Sequence, residues 1–314
     1  MKFENYISAK LIKHSISKIS NQEIYTFELE LPRCILSELH THRGEVVFNS
    51  QSSRAVPVLK YLDAIQQQPF SPIHWGKNQS GMQAYEESNS WILYDGDAYS
   101  RERLWEIALN QASKMARAWG DAGYHKQIAN RIVENFSYIK VVLSATNLAN
   151  FFHQRIHHAA EPHIRDLAIK MYEAIHASNP EELSPGQWHL PYVASVMNGK
   201  NIVYLKGDKQ ITLQEARDTS VACCAQVSYR NIEDTKEKVE RVVSKLLPSQ
   251  GEPGHYSPFC HQATPMTEEQ IITNSKSAQF KHWVMLRKIM KGEYCEEFNE
   301  GTFKERMKEI SKGN

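Results

Sequence analysis

The sequence predicts an α+β protein in which a mixed or antiparallel sheet packs with long helices. Two observations lead to this fold class. Apolar residues recur at helical spacing in three stretches, residues 104–119, 164–175 and 239–247. Residues 24–31 alternate in the way that a half-buried strand does. Long helices combined with a few alternating strands are typical of a chain that mixes both kinds of element around one sheet.

The sequence pattern also predicts the two faces of the strand and a polar segment before the first helix. In the strand, Tyr25, Phe27, Leu29 and Leu31 form one face, and Ile24, Thr26, Glu28 and Glu30 form the other. Residues 78–100 are polar and contain no repeated apolar pattern, so they predict a long excursion from the fold.

The helices also have recognisable ends. Gly120 and Gly123 follow the first helix as stop signals, and Pro248 ends the third and begins a loop that runs to Gly254. Asp234 and Thr235 are candidate caps at the start of the third helix. Two further helix starts have the spacing of a capping box, Thr212 with Glu215 and Thr267 with Gln270.

The composition is that of a globular chain. Of the 314 residues, 41% are hydrophobic and 23% are charged, which excludes the disordered and fibrous classes. Lys and Arg total 37 against 36 Asp and Glu, and this balance argues against a protein that coats nucleic acid with a basic face. No Pro/Gly/Ser linker divides the chain, so we expect a single domain over residues 1–314 with an insertion at residues 77–100.

Targeting signals and cysteine usage favour a cytoplasmic protein. The N-terminal stretch has no apolar core of about seven residues, and no window approaches roughly 18 uninterrupted apolar residues. We therefore expect neither secretion nor a membrane span. The cysteines form no C-x-x-C pair, which suits reduced thiols better than a disulfide framework or a structural zinc site. They are Cys34, Cys223, Cys224, Cys260 and Cys295.

Residues 38–54, ELHTHRGEVVFNSQSSR, form the densest polar group and are called the first segment. They follow the strand and contain histidines, arginines, amides and hydroxyls with few core-forming side chains. Guanidinium forks match phosphate oxygens, and Ser52-Ser53-Arg54 can also offer backbone N–H groups to an anion. The pattern indicates a site for an anionic ligand, but a polar surface loop that contains arginine has the same composition.

Residues 126–155, the second segment, place two arginines among apolar residues. If Arg131 and Arg155 are buried, each guanidinium needs an anion or a carbonyl as partner. If they are not, their stems lie along the surface with the charged ends in water. Asn150 and Arg155 are five positions apart, on neighbouring sides of a helix, so both can reach one ligand.

A metal site is the competing interpretation of the second segment. His153 and His157 are an i, i+4 pair, with His158, Glu161 and His163 nearby. The pattern lacks the Glu of H-E-x-x-H and a third ligand at a standard spacing. Solvated or substrate-facing histidines are therefore favoured, and no metal is expected.

Residues 255–265, HYSPFCHQATP, form the third segment, preceded in the chain by Ser228-Tyr229. His255 and His261 are six positions apart around Pro258, which prevents a regular helix and predicts a rigid turn. Taken alone, the segment is a turn that Phe259 holds in the core.

Together the three segments resemble the signature segments of the flavin-dependent thymidylate synthases. The first resembles the R-H-R-x-x-S-x-N-x-x-S-x-R type of motif that follows a strand, here Thr41-His42-Arg43 through Asn49, Ser52 and Arg54. Arg131 and residues 144–155 are similar to the family's helical segments. Residues 226–229 and 255–261 are similar to R-V-S-[FY] and H-x-[ST]-P-F-E-H. These last two elements come first in ordinary members, so the resemblance is to a permuted, bacteriophage-like branch, and it spans roughly residues 23–175 and 222–290.

The sequence departs from the family motifs at several positions, and one extra residue lies between His42 and Asn49. Thr41 stands for the first Arg of the triplet, Ser50 for the acidic residue after the Asn, and Ser144 for the Asn that opens the second helical motif. Thr146 stands for an Arg, and Cys260 for the Glu of P-F-E-H. Several of these positions help to hold FAD or to order the nucleotide in the family.

The resemblance implies a reductive methylation of dUMP to dTMP in a homotetramer. The methylene would come from methylenetetrahydrofolate and the reducing equivalents from NADPH through FAD. Such an enzyme needs no nucleophile of its own, because it positions flat ligands and polarises the uracil. This agrees with a sequence that has arginines, amides and hydroxyls but no Ser-His-Asp order.

The resemblance also implies a role for individual residues. The nucleotide residues are Glu38, Ser52, Ser53, Arg54, Arg131 and Arg155, with Arg54 and Arg131 at the phosphate and Arg155 at the uracil edge. The flavin residues are His42, Arg43, Asn49, Asn150, Ser228, His255 and Ser257, and His255 is also a candidate for contact with the folate. Arg54, Arg155 and His255 are the candidate catalytic residues.

Three alternatives remain at this point. A hydroxymethylase would use water in place of hydride and give 5-hydroxymethyl-dUMP for modified phage DNA. A non-catalytic nucleotide-binding protein would keep the arginines without flavin function. A metal-dependent phosphohydrolase would use the histidines of residues 153–163.

Overall fold

The computed structural model describes residues 3–199, 201–228, 232–248, 254–276, 278–294 and 298–312. A five-stranded sheet lies at its centre. Its strands are β1 (Ser8–Ser17), β2 (Glu23–Pro32), β3 (Val46–Ser50), β6 (Tyr138–Ala145) and β7 (Glu181–Leu183). Their order is β3-β6-β2-β1-β7. The β1–β7 pair is parallel and the other three pairs are antiparallel, which confirms an α+β protein with a mixed sheet.

Smaller sheets surround the central one. The strands β4 (Ile92–Tyr94) and β5 (Asp97–Tyr99) form a hairpin within the polar excursion. Three antiparallel strands form a second sheet, β8 (Ala194–Asn198), β9 (Asn201–Lys206) and β10 (Lys209–Ile211). A further antiparallel pair consists of β11 (Ala263–Pro265) and β12 (Trp283–Met285).

The helices that the apolar periodicity predicts are all present. The α-helices of the described residues are α1 (Leu36–Leu39), α2 (Val58–Gln67), α3 (Arg101–Asp121), α4 (Lys126–Ala129), α5 (Ala149–Arg155), α6 (Pro162–His176), α7 (Leu213–Ala225), α8 (Lys236–Leu246), α9 (Glu268–Ile272) and α10 (Glu300–Lys312). The three predicted helices are α3, α6 and α8. Both predicted capping boxes are formed, at the starts of α7 and α9. Thr235 stands at the N-cap of α8, but its side chain makes no capping hydrogen bond. Of the predicted loop from Pro248 to Gly254, residues 249–253 lie outside the described residues.

Strand β2 has buried residues on both faces, although its alternation predicted one polar face. Phe27, Leu29 and Leu31 pack towards α6 in the main core. On the other face, Ile24 is fully buried in a separate cluster with Phe280 and Trp283. The second face is therefore covered by residues from the C-terminal third of the chain, which alternation within one strand cannot reveal.

The excursion and the residues just before it contact the rest of the fold near the start of α6. The Ile73 backbone N–H donates to Nε2 of His163 at 3.0 Å, and the Tyr85 ring lies 6.0 Å from the His158 ring. The β4–β5 hairpin, which precedes α3 in the chain, is exposed, and Leu93 is 83% accessible to solvent. In the described part of the chain, no helix is long and apolar enough to cross a membrane.

Candidate functional site

The first and second segments meet at Arg155, the last residue of α5. Its Nε donates a hydrogen bond of 2.9 Å to Nε2 of His42, and its Nη1 lies 3.9 Å from Oε2 of Glu38. The His42 ring contacts Phe151 of the same helix edge-on, with ring centres 4.9 Å apart. Because His42 accepts through Nε2, the proton of its neutral ring is on Nδ1. The arginine is thus oriented by an imidazole on one side and a carboxylate on the other.

The electrostatics of this group favour that arrangement. Burial, and then the nearby Arg155 charge, lower the pKa of His42, so the imidazole stays a neutral acceptor. Burial and the negative charge of Glu161 raise the pKa of Glu38, while Arg155 and His163 oppose that rise. A guanidinium held in this way keeps a fixed orientation towards a planar ligand.

A second layer of polar contacts supports the loop that follows Arg155. Glu161 caps α6 by accepting from the backbone N–H groups of His163 and Ile164 at 2.8 and 2.9 Å. It also accepts from Nδ1 of His163, whose Nε2 accepts from Ile73. His163 therefore ties the chain just before the excursion to the start of α6. Sequence reasoning placed Glu161 and His163 only in a possible metal cluster, and no local signal indicates this capping role.

A cleft of ≈ 470 Å³ lies beside this group. Its lining combines a guanidinium, an imidazole, amides and an aromatic ring, contributed by Thr41, His42, Arg43, Gly44, Glu45, Val46, Asn147, Asn150, Phe151 and Gln154. Arg43 is oriented by donation from its Nε to the His40 carbonyl at 3.2 Å. The exposed Asn150 accepts from Nε2 of Gln154 at 3.3 Å. Three residues that the resemblance assigns to the flavin, His42, Arg43 and Asn150, thus share one cleft.

Asn49 of β3 joins the first segment to the third. Its Nδ2 donates to the Cys224 carbonyl at 2.6 Å, and its Oδ1 accepts from Oγ of Ser257 at 3.5 Å. Further into the fold, Oγ of Ser144 lies 2.9 Å from Nδ1 of His261. The third segment therefore lies against the first and the second despite about 200 intervening residues. Both polar atoms of the Asn49 amide are used within the protein, which makes this residue a clamp between distant segments.

Arg54 and Arg131 are carried by two turns that one buried side chain connects. Asn130 is fully buried and donates through Nδ2 to the carbonyls of Ser53 and Val56, at 2.8 and 2.9 Å. Arg54 follows Ser53 in a short 3-10 helix, and Arg131 follows Asn130 in another. Both arginines are exposed, so their guanidinium groups face solvent. Sequence reasoning missed Asn130, although it directly precedes Arg131.

The remaining predicted residues are less closely tied to this site. Ser52 is exposed and Ser53 is buried. His255 is exposed, and its backbone N–H donates to the Leu246 carbonyl at 2.7 Å. The side chain of Ser228 and the whole of Tyr229 lie outside the described residues.

The histidines of residues 153–163 do not gather around a metal position. The rings of His157 and His158 contact each other, with centres 4.2 Å apart. Across the described ranges of the chain, no three His, Cys, Asp or Glu side chains are placed to hold a metal ion.

Residues 2–181 match the family model described as "Thymidylate synthase complementing protein". This range contains the first and second segments and ends before the third. No curated protein matches the chain.

Two solved structures have a similar architecture. One is a UMP/dUMP methylase, PolB, from Streptomyces cacaoi bound with 5-Br UMP, with 16% identity over 56% of this chain and 91% of that chain and a TM-score of 0.43. The other is the flavin dependent thymidylate synthase ThyX from Helicobacter pylori complexed with FAD and dUMP, with 19% identity over 48% of this chain and 67% of that chain and a TM-score of 0.33. Because the identities and the TM-scores are low, assignment to a family depends on the sequence match.

Proposed function

Since the chain belongs to the thymidylate synthase complementing protein family, we propose that it is a flavin-dependent enzyme that modifies C5 of dUMP and forms dTMP. The methylene group would come from methylenetetrahydrofolate and the reducing equivalents from NADPH. We further propose a homotetramer that acts in the cytoplasm. These finer assignments extend the family membership.

One observation supports the proposal most strongly. The Arg155 guanidinium, oriented by His42 and Glu38, lies next to the cleft that His42, Arg43 and Asn150 line. Residues far apart in sequence thus combine a donor for a planar ring with a cleft for a second ligand. A polar surface loop would not need these contacts.

The donor set of the cleft fits FAD. Arg43 can pair with a pyrophosphate, the His42 and Phe151 rings can contact a flat ring system, and the amides of Asn147 and Asn150 can bind polar ring edges. When bound, FAD would supply the redox chemistry that the side chains of this protein lack.

The side chains of the protein would bind and polarise the nucleotide. The exposed Arg54 and Arg131 would pair with the phosphate, with Ser52 and Ser53 beside them. Arg155 would donate to the uracil edge and stabilise negative charge that develops on a carbonyl oxygen. Glu38, already beside Arg155, would contact the same nucleotide.

The first test is the absorption spectrum of the purified protein. We expect a flavin band, or quenching of FAD fluorescence on addition of FAD, and turnover of dUMP that requires NADPH and methylenetetrahydrofolate. Mass spectrometry of the product separates a methyl from a hydroxymethyl group. Protein that neither carries nor binds FAD would refute the proposal and would favour a non-catalytic nucleotide-binding homologue.

We expect Arg54→Ala to weaken dUMP binding at least about tenfold, because a charged bidentate contact to phosphate contributes on the order of 2–3 kcal/mol. The fold should remain intact, since the Arg54 side chain is exposed. Titration calorimetry measures the affinity. The matched control is Arg103→Ala, another exposed arginine, which pairs with Glu106 on the surface of α3. Equal dUMP affinity in both variants would show that Arg54 does not bind the phosphate.

We expect His255→Ala to keep the melting temperature of the wild type and to lose turnover. The imidazole is exposed, and its backbone N–H is the group that bonds to Leu246, so removal of the side chain sacrifices little packing. If the imidazole contacts the folate or the flavin in the assembled enzyme, its loss disturbs ligand positioning. Wild-type kcat and KM values in His255→Ala would remove this residue from the site.

A further inference from the structure

A continuous chain of hydrogen bonds crosses the central sheet. It joins Ser15 of β1, His189, Thr26 of β2, Ser144 of β6 and His261, in that order. The four distances are 2.9 Å from Ser15 Oγ to His189 Nδ1, 2.8 Å from His189 Nε2 to Thr26 Oγ1, 2.7 Å from Thr26 Oγ1 to Ser144 Oγ, and 2.9 Å from Ser144 Oγ to His261 Nδ1. All five residues are completely buried. We call them the buried chain.

Both histidines of the buried chain are neutral at physiological pH. Burial lowers the pKa of His261 to about 3 and that of His189 well below its usual range. A neutral imidazole carries one N–H and one acceptor nitrogen. Each of the two histidines and each of the three hydroxyl groups therefore has one hydrogen to donate.

Among the described residues, Thr26 Oγ1 and Ser144 Oγ have no partner outside the buried chain. Each of these buried hydroxyl groups must therefore donate its one hydrogen within the chain, and only two arrangements remain. Thr26 has one hydroxyl hydrogen and can donate either to Ser144 or to His189. If it donates to Ser144, then Ser144 must donate to Nδ1 of His261, and Nε2–H of His189 must donate to Thr26. Both histidines then carry their proton on Nε2.

In the opposite arrangement every donor is reversed. Thr26 donates to Nε2 of His189, Ser144 donates to Thr26, and Nδ1–H of His261 donates to Ser144. Both histidines now carry their proton on Nδ1. Because Thr26 and Ser144 each donate their single hydrogen within the chain, either direction gives His189 and His261 the same tautomer.

The position of the buried chain connects it to the proposed site. His261 ends the 3-10 helix Ser257–Cys260, whose first residue, Ser257, bonds to Asn49. His189 is fixed beside it, because its backbone exchanges hydrogen bonds of 2.8 and 3.2 Å with Ala263. The third segment is thus held by Asn49 at its outer end and by the buried chain at its inner end.

We propose that the buried chain is a positioning device that seats the third segment on the sheet, with its four hydrogen bonds polarised in one direction from Ser15 to His261 or the reverse. Ser144, Thr26 and His189 are then positioning residues that act on ligands through Ser257 and its neighbours. The ligand part of this inference rests on the proposed function, whereas the polarisation does not.

The tautomers can be measured directly. Magic-angle-spinning NMR of protein labelled with 15N-histidine separates Nδ1–H from Nε2–H imidazoles, and difference spectra with His189→Asn and His261→Asn assign the two rings. We expect the same tautomer in both histidines of the wild type. Opposite tautomers, or a charged ring, would overturn the polarised chain whatever the enzyme does.

The positioning role is tested with a matched pair at Thr26. Thr26→Val keeps the shape and removes the hydroxyl, whereas Thr26→Ser keeps the hydroxyl. We expect FAD binding by folded Thr26→Val protein to weaken about tenfold, which is the effect of one lost hydrogen bond, and Thr26→Ser to bind as the wild type does. A purely structural role would lower the melting temperature of Thr26→Val without changing its affinity for FAD.

A second pair at His261 covers the case in which Thr26→Val does not fold. An Asn side chain can replace Nδ1 of a histidine, whereas Gln reaches the position of Nε2. We expect His261→Asn to retain FAD affinity and His261→Gln to lose about tenfold. Equal FAD affinity in both folded variants would overturn the positioning role. If the wild type binds no FAD, the proposed function and the positioning role both fail, and the tautomers still decide the polarisation.

Discussion

Arg155→Lys is expected to lose at least about a hundredfold in turnover of dUMP, the effect of removing a donor that stabilises charge developing on an oxygen. The side chain is held by donation from Nε to His42 and by proximity to Glu38. Lysine has no Nε donor in this position and cannot present a planar fork to a uracil edge. The loss should appear in kcat/KM, measured at saturating FAD and folate.

The control for this variant is Arg117→Lys, at an exposed position on α3. It should have wild-type turnover and melting temperature. Arg155→Lys should also stay folded, because the Arg155 side chain is held by polar contacts at the edge of the cleft and lies outside the apolar core. Unaltered kcat/KM in Arg155→Lys would mean that the uracil edge is bound elsewhere and that the Arg155–His42 pair is structural.

Acidification is expected to destabilise the protein by about 3 kcal/mol between pH 7.5 and pH 5.5. Each histidine with a strongly lowered pKa contributes about 1.4 kcal/mol over this interval, and His189 and His261 are two such residues. Between pH 7.5 and pH 5.5, both histidines bind no proton in the folded state. In the unfolded state they titrate near their usual pKa of 6.5. Their stabilisation is therefore complete above pH 6.5 and is lost as the pH falls towards the folded-state pKa, which is about 3 for His261.

Urea unfolding at pH 7.5, 6.5 and 5.5 measures this effect. His261→Asn removes one of these groups, so the loss of its free energy of unfolding over this interval should be smaller by about 1.4 kcal/mol. The same pH dependence in His261→Asn and in the wild type would show that His261 is protonated, or accessible to protons, in the folded protein.

Local signals predict the regular elements well because their causes are local. Helices α3 and α6 have an apolar stripe within one stretch of chain, and both capping boxes depend on residues three apart. The short strand β7 has no such signal. It exists because β1, some 165 residues earlier, offers a free edge for parallel pairing.

The residues of the candidate site also form two groups, those that a motif identifies and those that only the fold brings together. Arg155, His42 and Asn49 could be named from the resemblance, because each belongs to a motif. Their partners could not, since the buried Asn130 and the Thr26–Ser144 pair depend on contacts between segments more than 70 residues apart. A single Ser, Thr or His in a sequence gives no sign of whether the fold will bury it and which partner it will meet.

The residues that cover Ile24, on the second face of β2, are synthesised long after the strand itself. Phe280 and Trp283, which bury Ile24, are made some 250 residues after it. At ribosomal rates the interval is on the order of tens of seconds. Throughout that time Ile24 and Val47 lack this apolar cover, so the growing chain exposes side chains that the finished protein buries.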